Sequence, residues 1–300
     1  MIRTVTVGVD GSPESRAAAG WAAREAQLRR LPLRAVHVWE PIPALVAQAP
    51  QLGGETLQSW TDGMTVNVVD ALRLRHPDVE IIVDQLPGEP AEALLVAAES
   101  AELLVLGSRG FGGIGGLLLG SVSLSAVAGA GCPVVLVRAG EHPAEEDQAD
   151  APSAPAETGP CRPVVLGLDA PDEALLEFAF DAAARRDASL RVASAWSEPP
   201  SSSFYRYYGS TELYDSLTHS KAKALTEVLL PWRQKFPTVQ VVEASRCGVA
   251  AQILVDSSRQ ASLVVVGRRI RTNPFGTHIG HVTHAVLHHS TPPVAVVPHP

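Results

Sequence analysis

Short apolar runs recur along the chain, and between them lie segments whose apolar residues follow helical spacing. Thr4 to Val9 is the first run, closed by Asp10 and Gly11. A brief apolar stretch bounded by turn formers reads as a strand buried on both faces. Ser12, Pro13 and Glu14 then supply an N-cap hydroxyl, a proline at the first helical position and an acid in the first turn, so a helix is expected to about Arg30. Leu33 to Trp39 reads as the next strand, Glu55 to His76 has helical spacing, and Val79 to Asp84 is strand-like. Pro90 opens a short helix to about Ser100, followed by the apolar strand Leu103 to Gly107. A glycine-studded loop leads to a helix from Ser121 to about Ala130, and Pro133 to Val137 is the last strand. Strands alternating with helices predict an α/β fold with a mostly parallel, doubly wound sheet.

The pattern then starts again. PVVLGLDAP (Pro163 to Pro171) echoes TVTVGVDGSP, placing Asp169 against Asp10 at an offset of 159 residues. Gly267, Gly280 and Pro293 match Gly107, Gly120 and Pro133, each at an offset of 160. RVASAWSEP, from Arg191, likewise resembles RAVHVWEP, from Arg34. The register is kept over most of both halves, so the chain is read as two copies of one α/β unit. The expected domains are residues 1–138 and 162–300, joined by a linker over 139–161 that is rich in Ala, Pro and Glu and lacks periodicity.

Composition adjusts this picture only slightly. The chain has 300 residues, 46% of them hydrophobic, and a net charge of −8. Six acids and no Lys or Arg fall in the linker, so the charge says little about the folded units. A broad basic surface for nucleic acid is not indicated. No apolar run approaches the roughly 18 residues that span a bilayer, and the first residues go straight into a strand pattern, so a cytoplasmic protein is expected. Cys132, Cys161 and Cys247 form no CxxC pair, which argues against a disulfide framework or a zinc knuckle.

The candidate chemistry lies between Gly107 and Ser123. Glycines let the backbone approach a ligand closely, and successive amides in such a loop form an anion nest. Ser121 is expected to cap the next helix, whose first turn offers unpaired N–H groups and partial positive charge. The stretch therefore reads as a phosphate cradle, with a ligand-free surface loop as the alternative.

On these motifs the chain resembles the universal stress protein family in its tandem form. Gly107, Gly110, Gly120 and Ser121 match that family's G-x2-G-x9-G-(S/T) motif, and Asp10 matches the aspartate after its first strand. The resemblance implies two domains of the adenine-nucleotide alpha hydrolase-like type, each a five-stranded parallel sheet with helices on both faces. It also implies ATP binding in the first half. Gly8 and Asp10 would lie beside the nucleotide, with Asp10 near the ribose or a bound Mg²⁺, and Val38 would offer backbone groups to adenine. Gly107, Ser108, Arg109 and Gly110, together with Gly120, Ser121, Val122 and Ser123, would wrap the phosphates. In the second half Asp169, Gly267, Arg268, Gly280 and His281 are the equivalent candidates. There Ile270 stands in the middle-glycine position and His281 replaces the Ser/Thr, so a structural or regulatory copy is expected.

Other signals carry less. Gly110 to Gly115 fits G-x-G-x-x-G but follows a fourth strand, where a dinucleotide fingerprint would follow the first. His278 to His281 spells HIGH without a KMSKS partner, and no Walker A sequence occurs. His281, His284 and His288 share a helical face, but without a nearby Cys or carboxylate no metal site is expected. The resulting expectation is an ATP-binding stress-response sensor or regulator with no catalytic residues. The alternatives are a nucleotide-free scaffold for an unknown protein partner and a slow ATPase. The resemblance further implies pairing of the Pro133–Val137 and Pro293–Val297 strands within the chain, and homodimers.

Overall fold

Valine- and leucine-rich runs become parallel strands because helices on both sheet faces then exclude water from every side chain. In a computed structural model of the chain, the described residues are 3–39, 67–108, 119–139, 161–197, 211–270 and 279–300. The chain divides into two compact units, Met1–Pro143 and Ala144–Pro300. The first contains β1 (Thr4–Gly8), α1 (Pro13–Arg29), β2 (Leu33–Trp39), a helix α2 described over residues 67–75, β3 (Ile81–Pro87), α3 (Pro90–Ala98), β4 (Ala101–Gly107), α4 (Ser121–Gly129) and β5 (Val134–Val137). Its strands are parallel in the order β3-β2-β1-β4-β5. Helix α1 packs on β1, β4 and β5, whereas α3 packs on β2 and β4 and against α4.

The local sequence explains these elements. The Ser12 Oγ accepts from the Ser15 N–H at 3.1 Å, capping α1, and Pro13 occupies the first turn. Arg30 ends the helix in the left-handed region at φ 54°, where its N–H reaches the Ala26 and Gln27 carbonyls. Ala18, Ala19, Ala22, Ala23 and Ala26 are fully buried, and these small side chains let α1 sit close on the sheet. Strand β3 begins at Ile81 and not at Val79. Val79 is buried in the preceding turn, with its N–H bonded to the His76 carbonyl at 3.1 Å. As an edge strand with half-exposed positions, β3 lacks the apolar run that marks the central strands.

The second unit repeats the plan with β6 (Val164–Gly167), α5 (Glu173–Arg185), β7 (Leu190–Trp196), α6 (Thr211–Lys235), β8 (Val241–Cys247), α7 (Ala250–Ser258), β9 (Leu263–Arg269), α8 (His281–His289) and β10 (Val294–His299). Its parallel strands run β8-β7-β6-β9-β10. Phe180 of α5 is fully buried, with its ring centroid 5.8 Å from Trp232 and 5.5 Å from Phe236, which anchors α6 to α5. Among the described residues no helix is long and apolar enough to cross a membrane.

All three cysteines are free thiols. Burial pushes the Cys132 thiol up to about 11, while Cys161 is exposed. Because the thiolate is the reacting form, Cys132 is expected to stay unmodified by iodoacetamide at pH 8 while Cys161 is labelled. Peptide mass mapping checks this, and equal labelling of the two would contradict it.

Candidate functional site

In each unit the order in which strands are added reverses at one parallel pair, β1 and β4 in the first unit and β6 and β9 in the second. Connections leaving such a pair diverge, opening a crevice at the carboxyl ends of the strands where ligands of open α/β sheets bind. Gly8 ends β1, where an added Cβ would lie 2.6 Å from the Leu106 Cδ2. Gly107 ends β4, where a Cβ would lie 2.8 Å from the Glu14 backbone carbon. That strand end abuts the first turn of α1, so packing alone already demands glycine at 107.

Asp10 is exposed just beyond β1, and its Oδ1 accepts from the Ser12 N–H (3.0 Å) and the Ser12 hydroxyl (2.6 Å). Its Oδ2 accepts no hydrogen bond among the described residues. Val38 is half-buried near the end of β2, the strand beside β1. Its neighbour His37 is buried and its Nδ1 donates to the Val9 carbonyl at 2.7 Å, tying the ends of β1 and β2 together. That tie was missed in the sequence, where His37 reads as one polar residue in an apolar strand.

The neck of the glycine loop is closed by the Gly120 N–H donating to the Ser108 carbonyl at 2.9 Å, and the buried Ser108 donates its own N–H to the Val137 carbonyl at 2.7 Å. Arg109 and Gly110 lie outside the described residues. The N-cap of α4 is Gly120, at φ −69° and ψ 148°, with no side-chain cap, and this corrects the expectation that Ser121 caps the helix. Ser121 is already helical and exposed, and Val122 is half-buried. The first-turn amides of α4 are thus left without a side-chain acceptor, as an anion site requires. Ser123 is buried, and its hydroxyl donates to the Gly107 carbonyl at 2.7 Å. Its proton is spent within the protein, so the Ser123 hydroxyl braces the loop and does not donate to a phosphate.

The second unit holds a cleft of about 1070 Å³ at the equivalent place. Asp169, Gly267, Gly280 and His281 line it, together with Ala195, which matches Val38 in the RVASAW and RAVHVW repeat. Arg268 does not. Successive strand residues point to opposite faces, so Arg268 is buried on the far side, where desolvation lowers its pKa, and Arg269 lines the cleft. The 160-residue offset could have found this, since it equates Arg269 with Arg109 and Arg268 with the buried Ser108. The Thr283 hydroxyl donates to the Gly267 carbonyl at 2.8 Å, repeating the Ser123 brace.

Two doubly wound units, each with a switch point in its strand order and a glycine-capped helix beside it, define a tandem α/β protein. The chain belongs to the universal stress protein family, whose family model matches residues 1–138 and 161–298. It is 33% identical over 313 residues to universal stress protein Rv2005c of Mycobacterium tuberculosis, covering 97% of this chain and 96% of that one. A universal stress protein of Mycolicibacterium smegmatis is 30% identical over 305 residues, covering 98% of this chain and 96% of that protein. The crystal structure of a universal stress protein from Archaeoglobus fulgidus shares the fold at a TM-score of 0.63 and 16% identity, covering 98% of each chain.

Proposed function

We propose that this protein is an ATP-binding regulator of a stress response, with nucleotide held mainly by the first unit. One observation carries the reading. The uncapped first turn of α4 stands at the closed neck of a loop whose glycine frame is intact, whereas the second unit has lost two of the frame's residues. The residues fit a triphosphate chemically. Ser121 and Val122 would present first-turn amides and a hydroxyl to phosphate oxygens, with Gly107 and Gly120 keeping the approach free of side chains. Asp10 Oδ2 would take a ribose hydroxyl, or Mg²⁺ whose other ligands come from the phosphates and water. Val38 would meet adenine through its backbone. In this reading ATP is a signal that is held and not a substrate that is turned over.

The test is direct. Protein purified under native conditions, then denatured and deproteinised, is expected to release about one adenine nucleotide per chain, measured by chromatography of the supernatant. Protein that carries none, and binds none in calorimetry, would favour a nucleotide-free scaffold. Sustained phosphate release would instead make it a slow ATPase.

A further inference from the structure

Four of the chain's ten histidines stand in the nine residues of α8, at positions 281, 284, 288 and 289. Histidine is a poor helix former, so helix propensity does not explain the cluster. The repeat supplies a comparison. At an offset of 160 residues the first unit has Ser121, Leu124, Ala128 and Gly129, and the two helices bury the same three positions, Ser123, Ala126 and Val127 in α4 and Thr283, Val286 and Leu287 in α8. The fold therefore has no need of histidine on the open side of this helix. Two histidines elsewhere are committed to the protein itself, His37 through the Val9 carbonyl and His299 through its Nδ1, 3.4 Å from the Asp172 Oδ2.

His284 and His288 are one helical turn apart, where side chains share a face. Their ring centroids lie 4.3 Å apart at an interplanar angle of 40°. A metal ion about 2.1 Å from one nitrogen of each ring, with the two bonds at about 90–110°, sets the ring centres roughly 4.5–5 Å apart. The pair needs to open by only a few tenths of an ångström to reach that span. His284 is exposed and His288 half-buried, so an ion from solvent can reach both. Partial desolvation, and then the adjacent His288 and His289, lower the pKa of His284, which favours the neutral ring that ligates metals. Each imidazole has two nitrogens, so ligation through one leaves the other for a hydrogen bond within the protein. His289 is farther off, its centroid 6.4 Å from that of His288, and His281 makes no ring contact with the pair among the described residues.

We infer that His284 and His288 form a surface site for a borderline divalent transition ion, with copper(II) the tightest occupant. This goes beyond the ATP reading of the first unit and does not depend on it. Among the described residues no group of three or more His, Cys, Asp or Glu side chains is placed to hold a metal, so water completes the coordination shell. Two neighbouring imidazoles with water suit the tetragonal preference of copper(II) and nickel(II), whereas a structural zinc site asks for four protein ligands. The lack of a nearby Cys or carboxylate, which set the sequence expectation against a metal, bears on zinc and not on a two-imidazole site. Magnesium and calcium are excluded because they take oxygen ligands. The site also acts on the unit that carries it. Thr283, next to His284, donates its hydroxyl to the Gly267 carbonyl at 2.8 Å, and α8 packs on α7, β9 and β10. An ion that clips one turn of α8 binds only the folded helix, so it stabilises the second unit.

The experiment is calorimetry of the full chain with Cu²⁺, Ni²⁺, Zn²⁺ and Mg²⁺ in a weakly coordinating buffer, with electron paramagnetic resonance of the copper complex. Copper is expected to bind tightest and to show two nitrogen ligands, with Ni²⁺ and Zn²⁺ weaker and Mg²⁺ absent. His284→Leu and His288→Ala give α8 the residues found at the matching positions of the first unit, so circular dichroism is expected to show an unchanged fold. Each is expected to weaken copper binding about tenfold or more, since each removes a direct ligand. His281→Ser, also taken from the first unit, is expected to leave copper affinity unchanged. Saturating Ni²⁺ is expected to raise the unfolding midpoint of the second unit, and to lose that effect in His284→Leu. Copper affinity unchanged in His284→Leu or in His288→Ala would overturn the proposal, as would a loss in His281→Ser equal to theirs. Tighter binding of Zn²⁺ than of Cu²⁺ would overturn it as well, because it would mark a site with more protein ligands.

Discussion

Gly120→Glu is expected to lower ATP affinity by more than about a hundredfold while leaving the fold intact. At φ −69° and ψ 148° the position is ordinary extended backbone that any residue adopts, so the substitution adds no backbone strain. No side-chain cap is lost, because α4 has none. The added carboxylate would sit at the helix start, where a phosphate should be attracted. Two unit charges about 4 Å apart interact by roughly 4 kcal/mol at an effective dielectric near 20, close to three decades in affinity. Salt trims that figure at an exposed site. Calorimetry on both proteins, with circular dichroism as the folding control, measures the effect, and Gly120→Ala should bind almost normally. Unchanged affinity in Gly120→Glu would place ATP elsewhere and overturn its assignment to the first unit.

The same glycine shows what could and could not be read from the chain. Central strands such as Thr4–Gly8 and Leu263–Arg269 were legible because burial on both faces leaves an apolar run bounded by turn formers. The edge strand Ile81–Pro87 was displaced by two residues at its start and three at its end because one flank is open and its side chains are half wet. At the loop, the preference of serine for N-caps pointed to Ser121. The cap is set by which residue first takes helical dihedrals, and a glycine can hold the position without supplying a side chain. Arg268 stood among the candidates and Arg269 did not, whereas strand alternation decides which of two neighbours faces the cleft. The Asp172–His299 contact was out of reach altogether, since it joins residues 127 positions apart that only the sheet order brings together.

Arg29→Met is expected to destabilise the first unit by about 3 kcal/mol, because it takes the facing guanidinium away from a buried carboxylate. Glu25 and Arg29 face each other one helical turn apart on α1, with the Arg29 Nε donating to the Glu25 Oε1 at 2.6 Å and side-chain exposures of 1% and 5%. A pair this dry adds little net stability over apolar residues of similar size, but removing the guanidinium takes from a buried carboxylate the cation that faces it at hydrogen-bond distance. The double variant Glu25→Leu/Arg29→Met is accordingly expected to recover most of the loss. Urea unfolding should show the transition of the first unit shifted and that of the second unmoved, provided the two are resolved. A change below about 0.5 kcal/mol would mean that the pair behaves like a surface ion pair. The consequence for function runs along α1. Its first turn carries the Ser12 that holds Asp10 and the Glu14 backbone that abuts Gly107, so loosening the helix loosens both walls of the crevice. ATP that binds there stabilises only the folded unit, and saturating nucleotide should restore part of the lost midpoint in Arg29→Met, by about 2.7 kcal/mol at a hundred times the dissociation constant.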